Sequence, residues 1–536
     1  MTAEAKHPDD ATQDSGTRDY VGTDKNPTAR VILPKSGSTS PQRVSGGRIL
    51  RLLLSVLGLT GLLAAGYAWI LSSPTGASPD DDYHLTSIWC PRPIEQHCEV
   101  TGKTAEGELL VEVPQTVAGS SAVYAYKRDV PASGLTNLSD DTFVPTTRVD
   151  TGNYPGYYYQ FMHLFVQRDV DRAVLVMRWF NFSLAVTLYG AAALLMTAAG
   201  RRLITYTLLA TSVPVSLYFT TTTNPTSWAI TGIVSLWLGL QGFFTTHGWR
   251  RMALAGVALV GAVVASAARM DSTIYCAIVA VAMSVLHLPK LIAEKRLVWL
   301  PATTAMTGAI TFLTIPNVGT FMSATEPGTT ETRSALQVLW SNVVHLPRVL
   351  STFFSCDLGW FDVPTPTLTS VMSLLVTLTI VGFGFARSRA DWHKTAALLI
   401  LAGAIYALPI AMMQQRLQYL DEWGVQVRYV APLIIVLAGV ALSGSDRADP
   451  VRMPNRLSIP TLIALAVAHA AMLHTLIERY ASGMLTPGLD LNADVQWWRA
   501  ASPEPMAMWA IGSVGFALAC AAGAFAHHLA QHGATS

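Results

Sequence analysis

Charge is what this sequence has least of. Asp, Glu, Lys and Arg make up 13% of its 536 residues, against about a quarter in a soluble domain. With 51% of residues hydrophobic, the chain reads as a membrane protein. A net charge of +1 leaves no basic surplus to neutralise phosphates, which excludes a nucleic-acid partner. Cysteines number five, and no pair has zinc-site spacing. The middles of the apolar runs carry almost no ionisable residues, and no internal repeat is evident; both absences argue against a transporter of matching halves and broken helices. Residues 1–48 have few large apolar side chains and read as a disordered tail, because such a segment cannot bury enough surface to offset chain entropy. The apolar run that follows lies too far in, and is too long, for a signal peptide.

Apolar runs are what the chain has in abundance. The first covers 49–71, about the length that crosses a hydrocarbon core. Further candidates are 173–199, 203–219, 227–245, 252–268, 272–288, 297–315, 366–386, 395–412, 428–443, 458–477 and 507–528. About twelve spans give an all-α polytopic protein with both termini on one side. Arg43 and Arg48 precede the first span and Arg51 lies at its start. Arg201, Arg202, Arg250, Arg251, Lys290, Lys295, Arg296, Arg387, Arg389, Lys394, Arg447, Arg452 and Arg456 fall in the loops on that same side. The positive-inside rule makes it cytoplasmic and predicts a multi-pass plasma-membrane protein. The soluble mass is then exoplasmic: a large first loop at 72–172, then 316–365 with an amphipathic helix, and 478–506 between the last two spans. Spans two to seven occupy 173–315 and spans eight to twelve 366–528, ahead of a cytoplasmic tail at 529–536. Within the first loop Glu108 to Val113 reads as a strand and Tyr154 to Arg172 as an interfacial helix.

Several polar clusters lie on the exoplasmic side. Asp80, Asp81, Asp82, Tyr83 and His84 follow almost directly on the first span. An aspartate here, Asp81 or Asp82 in a sugar-transfer reading, can act as general base or orient an acceptor hydroxyl. Two can share a divalent cation, Mg or Mn, with Asp81 and Asp82 the candidate ligands. His84 can serve as a base or donate to a phosphate. The plainer reading is a solvated turn at Ser78-Pro79-Asp80. The rings of Tyr154, Tyr157, Tyr158, Tyr159, Phe161 and Phe165 suit an interfacial aromatic belt, with Tyr154 the candidate sugar contact. Thr220 to Trp228 is a polar turn in which Thr226 or Ser227 caps the next helix; an exposed helix N-terminus there would suit a phosphate. Arg128, Arg269, Arg416 and Arg428 are candidate phosphate ligands, with Asp271 either holding Arg269 in place or forming a plain ion pair with it. Cys90 and Cys98 either pair in an oxidising compartment or remain free thiols.

In chain order these motifs are the acidic His motif, Asn153-Tyr154-Pro155-x-x-Tyr158-Tyr159, Arg178, Thr222-x-Asn224-Pro225-x-x-Trp228, Ala268-Arg269-x-Asp271, Leu358-Gly359-Trp360-x-Asp362-x-Pro364 and Arg428-Tyr429-x-x-Pro432. The series resembles the bacterial membrane-protein family called domain of unknown function 2142, from about Leu50 to the tenth span or beyond. That family is grouped by architecture with the GT-C glycosyltransferases. The resemblance implies a GT-C-like hexosyl- or pentosyltransferase using a polyprenyl-phosphate-linked sugar at the outer face. The acceptor is a cell-envelope glycan or lipid, and Asp80, Asp81 and Asp82 occupy the acidic position of the first loop. One departure is plain: Thr220 to Trp228 carries no carboxylate, where many GT-C enzymes have one. The alternatives are a transporter or flippase of lipid-linked envelope precursors, and a non-catalytic membrane scaffold.

Overall fold

The computed structural model describes residues 45–317, 334–387, 391–420, 425–444, 453–485 and 488–532. Residues 1–44 of the amino-terminal tail, the stretch 318–333, Asp421 to Gly424, the basic Arg447 and Arg452, and 533–536 lie outside them.

Helices dominate. In chain order they are α1 (Ser45–Leu71), α2 (Asp81–Trp89), α3 (Gln115–Tyr124), α4 (Tyr157–His163), α5 (Val170–Leu195), α6 (Ala198–Thr211), α7 (Pro214–Thr220), α8 (Thr226–Thr245), α9 (Gly248–Ala268), α10 (Met270–Leu286), α11 (Leu288–Ala293) and α12 (Trp299–Leu313). The series continues with α13 (Ala335–Ser351), α14 (Thr367–Arg387), α15 (Trp392–Gln415), α16 (Val427–Leu442), α17 (Asn455–Ala481) and α18 (Pro505–His532). Each apolar run of the sequence is helical. Eight described helices are long and apolar enough to cross a membrane, or nine if the bent pair α6–α7 is one span. The remaining runs form α10, α12 and α16, of 17, 15 and 16 residues, short of the roughly 20 that a straight crossing needs. The count of twelve depends on including them. Helix α18 also runs through 529–532, the start of the segment read as a tail.

Local chemistry sets several boundaries. Asp169, Thr197 and Asp391 cap α5, α6 and α15 by accepting the N–H of Arg172, Gly200 and Lys394. Pro214 at the start of α7 ends the ladder of α6, and the two helices bend by 103°. Glycines bring α8 and α9 together: a Cβ on Gly232 would lie 2.3 Å from the Ala265 nitrogen, and one on Gly261 2.5 Å from that of Leu236. Apolar lipid gives helices no hydrophobic reason to pair, so close backbone approach supplies the attraction.

The first loop, Ser72 to Asp169, has its own architecture. Strands β1 (Val100–Lys103), β2 (Leu109–Pro114) and β3 (Phe143–Thr146) form an antiparallel sheet in that order. Val111 of β2 pairs with Val100 on one side and Thr146 on the other. The strand expected at 108–113 is therefore the centre of a small sheet, and Cys90 and Cys98 are disulfide-bonded beside it. The helix expected from Tyr154 to Arg172 is shorter. Gly156, at φ 87°, opens α4, which ends at His163 before α5 begins.

Candidate functional site

The segment between α1 and α2 is held in place through its carbonyls. Arg178 of α5 donates to Ser73 O at 2.6 Å and Pro74 O at 2.7 Å. Arg499 reaches Leu71 O and Ser73 O. Tyr124 binds Thr75 O at 2.5 Å, Trp360 Nε1 binds Gly76 O at 2.8 Å, Tyr218 binds Ala77 O at 3.0 Å and Asn224 binds Pro79 O at 2.8 Å. A buried non-helical backbone needs a partner for each polar group, and here residues from six distant segments supply them. The acidic motif thus starts from a fixed point.

From that point the three aspartates diverge, because Asp80 lies in a left-handed conformation ahead of α2 while Asp81 and Asp82, consecutive helical residues, face about 100° apart. Asp80 adopts φ 60° just ahead of α2 and keeps its side chain 42% exposed. Its Oδ2 accepts from Arg428 Nη2 at 2.8 Å, and Oδ1 lies 3.9 Å from Arg148. Burial pushes this carboxyl upward, but Arg428, His84 and Arg148 together outweigh it and hold it below the ordinary 3.8. Asp81 is wholly buried, accepting Ser78 N–H at 3.0 Å and the Thr223 hydroxyl at 3.1 Å. Desolvation lifts it to about 7 against the pull of Arg178. Asp82 takes a bidentate Arg148, at 2.8 and 3.2 Å.

The cation expected between Asp81 and Asp82 does not fit this donor set. Their carboxylates point to different partners, and among the described residues no three His, Cys, Asp or Glu side chains converge. His84 is buried, hydrogen-bonded through Nδ1 to Tyr159 at 2.9 Å, and brought down to about 3 by desolvation. It is a neutral imidazole near neutral pH. Tyr83, Tyr154 and Tyr159 pack around it at centroid distances of 5.6, 5.5 and 6.1 Å.

The turn Thr220 to Trp228 lies beneath the motif and is fully buried. Thr223 reaches Asp81, Tyr158 donates to Thr223 O at 2.6 Å, and Asn181 joins Thr222 O to the Trp228 indole. The expected cap at Thr226 or Ser227 is replaced: Asn224 Oδ1 accepts Thr226 N–H at 2.9 Å, and Pro225 precedes the helix. No exposed helix N-terminus remains there for a phosphate.

The candidate arginines fall into different settings. Arg428 is 2% exposed, with Nη2 on Asp80, while Nε and Nη1 have no hydrogen-bond partner among the described residues. Arg269 forms a bidentate pair with Asp271 at 3.0 to 3.2 Å. Both guanidiniums lie over the Tyr429 ring, at 5.2 and 4.5 Å. Arg128 is half exposed and bound to Asp357 at 2.9 Å. Arg416 stands at the end of α15, the helix that packs against α13.

One organising residue escaped the sequence reading. Asp150 is 2% exposed. Its Oδ1 accepts from the Tyr83 hydroxyl at 3.0 Å and from the backbone N–H of Gly152, Asn153 and Tyr154, while Arg92 lies 3.3 Å from Oδ2. Asp-Thr-Gly-Asn is turn chemistry, and the side-chain acceptor of an Asx turn was the available signal. A second is Arg479. It forms a fully buried pair with Asp362 at 2.6 Å and also bonds the carbonyls of Tyr124 and Val130. A cleft of about 390 Å³ lies elsewhere, between the end of α17 and the segment 488–496, lined by Glu478, Ser482, Asp490 and Gln496.

The model of the predicted membrane protein family DUF2142 matches residues 63–437, more than half of the chain. The protein belongs to this family. No curated protein and no solved structure matches it. The DUF2142 match contains the acidic motif, Asp150, the buried turn, Arg269, Asp362 and Arg428. Arg479 and Arg499, which clamp the same region, come from beyond it.

Proposed function

We propose that this DUF2142 protein is a GT-C-like membrane glycosyltransferase with about twelve spans. It would transfer a hexosyl or pentosyl group from a polyprenyl-phosphate donor to a cell-envelope glycan or lipid. The positive-inside pattern supports a plasma-membrane setting with cytoplasmic termini and the acidic motif outside.

The observation that carries the reading is the Asp80–Arg428 pair. Asp80 is the accessible carboxylate of the motif, and among the described residues the buried Nε and Nη1 of Arg428 beside it have no hydrogen-bond partner. In the proposed reaction an acceptor hydroxyl donates to Asp80 as its oxygen attacks the anomeric carbon. The bond from that carbon to the phosphate oxygen breaks, the hydroxyl proton passes to Asp80, and polyprenyl phosphate leaves with the bonding electron pair. Protonation removes the negative charge that Arg428 was neutralising. Its positive charge then acts on the leaving phosphate, where charge develops. Arg269, over the same tyrosine ring, adds to that field. Asp81 and His84 support the geometry from below.

The test is transfer by the full-length protein in nanodiscs with a panel of polyprenyl-phosphate sugars. Asp80→Asn and Arg428→Gln are each expected to lower transfer by about 100-fold or more. Undiminished transfer by Asp80→Asn would refute the role.

One observation favours the transport alternative. The bent pair α6–α7 breaks at Ser212, whose carbonyl is bound by His469, a buried residue midway along α17. Broken helices with a polar partner are a transporter device. Movement of a lipid-linked sugar across liposomes without covalent transfer, lost in His469→Phe, would favour that reading.

A further inference from the structure

Tyr126 holds an unusual conformation at the edge of the proposed site. Tyr124 to Lys127 form a type II turn: Ala125 has φ −56° and ψ 134°, Tyr126 has φ 62°, and Lys127 N–H bonds Tyr124 O at 3.0 Å. The third position of such a turn requires positive φ and is ordinarily glycine or asparagine. A bulky side chain there costs free energy and is an outlier that calls for an explanation. The usual compensation, burial of the ring, is missing: Tyr126 is 69% exposed.

The surroundings indicate what the ring is for. It packs against Trp360 in a T-shaped arrangement, with centroids 5.6 Å apart and planes at 69°. The Trp360 indole is fixed to Gly76 O, four residues before Asp80. The Trp360 loop is itself rigid, closed by the Leu358–Val363 bridge and by Asp362 accepting Trp360 N–H. Arg128 ties the tyrosine's turn to that loop through Asp357. The Tyr126 phenol is raised above its ordinary value by partial burial and then by the charges of Asp80 and Asp82. An exposed aromatic ring thus stands within electrostatic reach of Asp80, Asp82 and the Arg148 guanidinium. That combination suits a ligand with one apolar C–H face and a rim of hydroxyls.

We propose that Tyr126, backed by Trp360, is a stacking platform for a saccharide ring, and that it presents the ring's hydroxyls to Asp80. The platform deepens the glycosyltransferase reading and rests on it for the ligand class. The strained turn is the cost of displaying a flat ring rigidly at that point.

The test uses the full-length protein in nanodiscs and saturation-transfer NMR. The probes are methyl glycosides of glucose, mannose, galactose and arabinofuranose. At least one glycoside is expected to receive saturation from the wild type. That signal should fall at least fivefold in Tyr126→Ala and Tyr126→Gly and persist in Tyr126→Phe. Glycine also relieves the turn, so Tyr126→Gly should unfold at the same temperature as the wild type or higher. The proposal is overturned if no glycoside is saturated, if Tyr126→Gly retains the signal, or if that variant loses stability together with binding. Transfer assays separate the two ideas. Glycoside binding at Tyr126 without any transfer by the wild type upholds the platform and removes the enzyme reading. Transfer undiminished in Tyr126→Ala does the reverse.

Discussion

Asp81→Asn is expected to stabilise this protein at pH 8, although it removes a charge from the most acidic stretch of the chain. Asp81 is wholly buried, and desolvation moves its carboxyl from the ordinary 3.8 to about 7. At about 1.36 kcal/mol per pH unit, holding the ionised form costs on the order of 4 kcal/mol above pH 7. The sign follows from the raised value. The folded state binds the proton more tightly than the unfolded chain, so the contribution of Asp81 to stability is fully present below pH 3.8. It is lost as the pH rises through 7. Asparagine keeps the geometry: its amide oxygen can accept Ser78 N–H, and its amide N–H can donate to the Thr223 hydroxyl, reversing the bond seen with Asp81. The assay is thermal unfolding in detergent micelles, comparing variant with wild type from pH 4 to 8. The variant's advantage should be near zero at pH 4 and grow to several degrees by pH 8. A difference that is flat with pH, or a loss of stability at pH 8, would refute the desolvation argument. In that case Arg178 is the charge that Asp81 serves.

Two further outcomes are expected. Arg479→Met strands the Asp362 carboxylate in a site where both partners are 0% exposed; the expected loss is about 3–5 kcal/mol in the free energy of unfolding, with part of it recovered in Arg479→Met/Asp362→Leu. Cys90→Ser opens a disulfide of sequence separation 8, for an expected loss of about 2–3 kcal/mol, and the wild-type pair should resist alkylation on intact cells until a reductant is added.

The helical content was legible because lipid-facing runs need about 20 apolar residues whatever surrounds them. The Arg269–Asp271 pair was within reach for a related reason: two residues apart across a helix start, they meet through local geometry alone. Asp80, Asp81 and Asp82 show where that reach stops. They are chemically identical neighbours in sequence, yet one is open and paired with Arg428, one is buried among hydroxyl and backbone donors, and one is held by Arg148. Nothing local separates them, because their partners stand 348, 142 and 66 positions away. Arg178 was singled out in the sequence, but its role as a clamp on Ser73 and Pro74 carbonyls has no motif of its own.

The sequence by itself determined a helical membrane protein, since composition and the run lengths of apolar residues act residue by residue. Only the tertiary structure decided which aspartate is accessible and which arginine has donors without a partner among the described residues. It also showed that the 70–79 segment is held carbonyl by carbonyl from six places. Burial and pairing depend on what the rest of the chain brings to a residue, and those contributions arrive from hundreds of positions away.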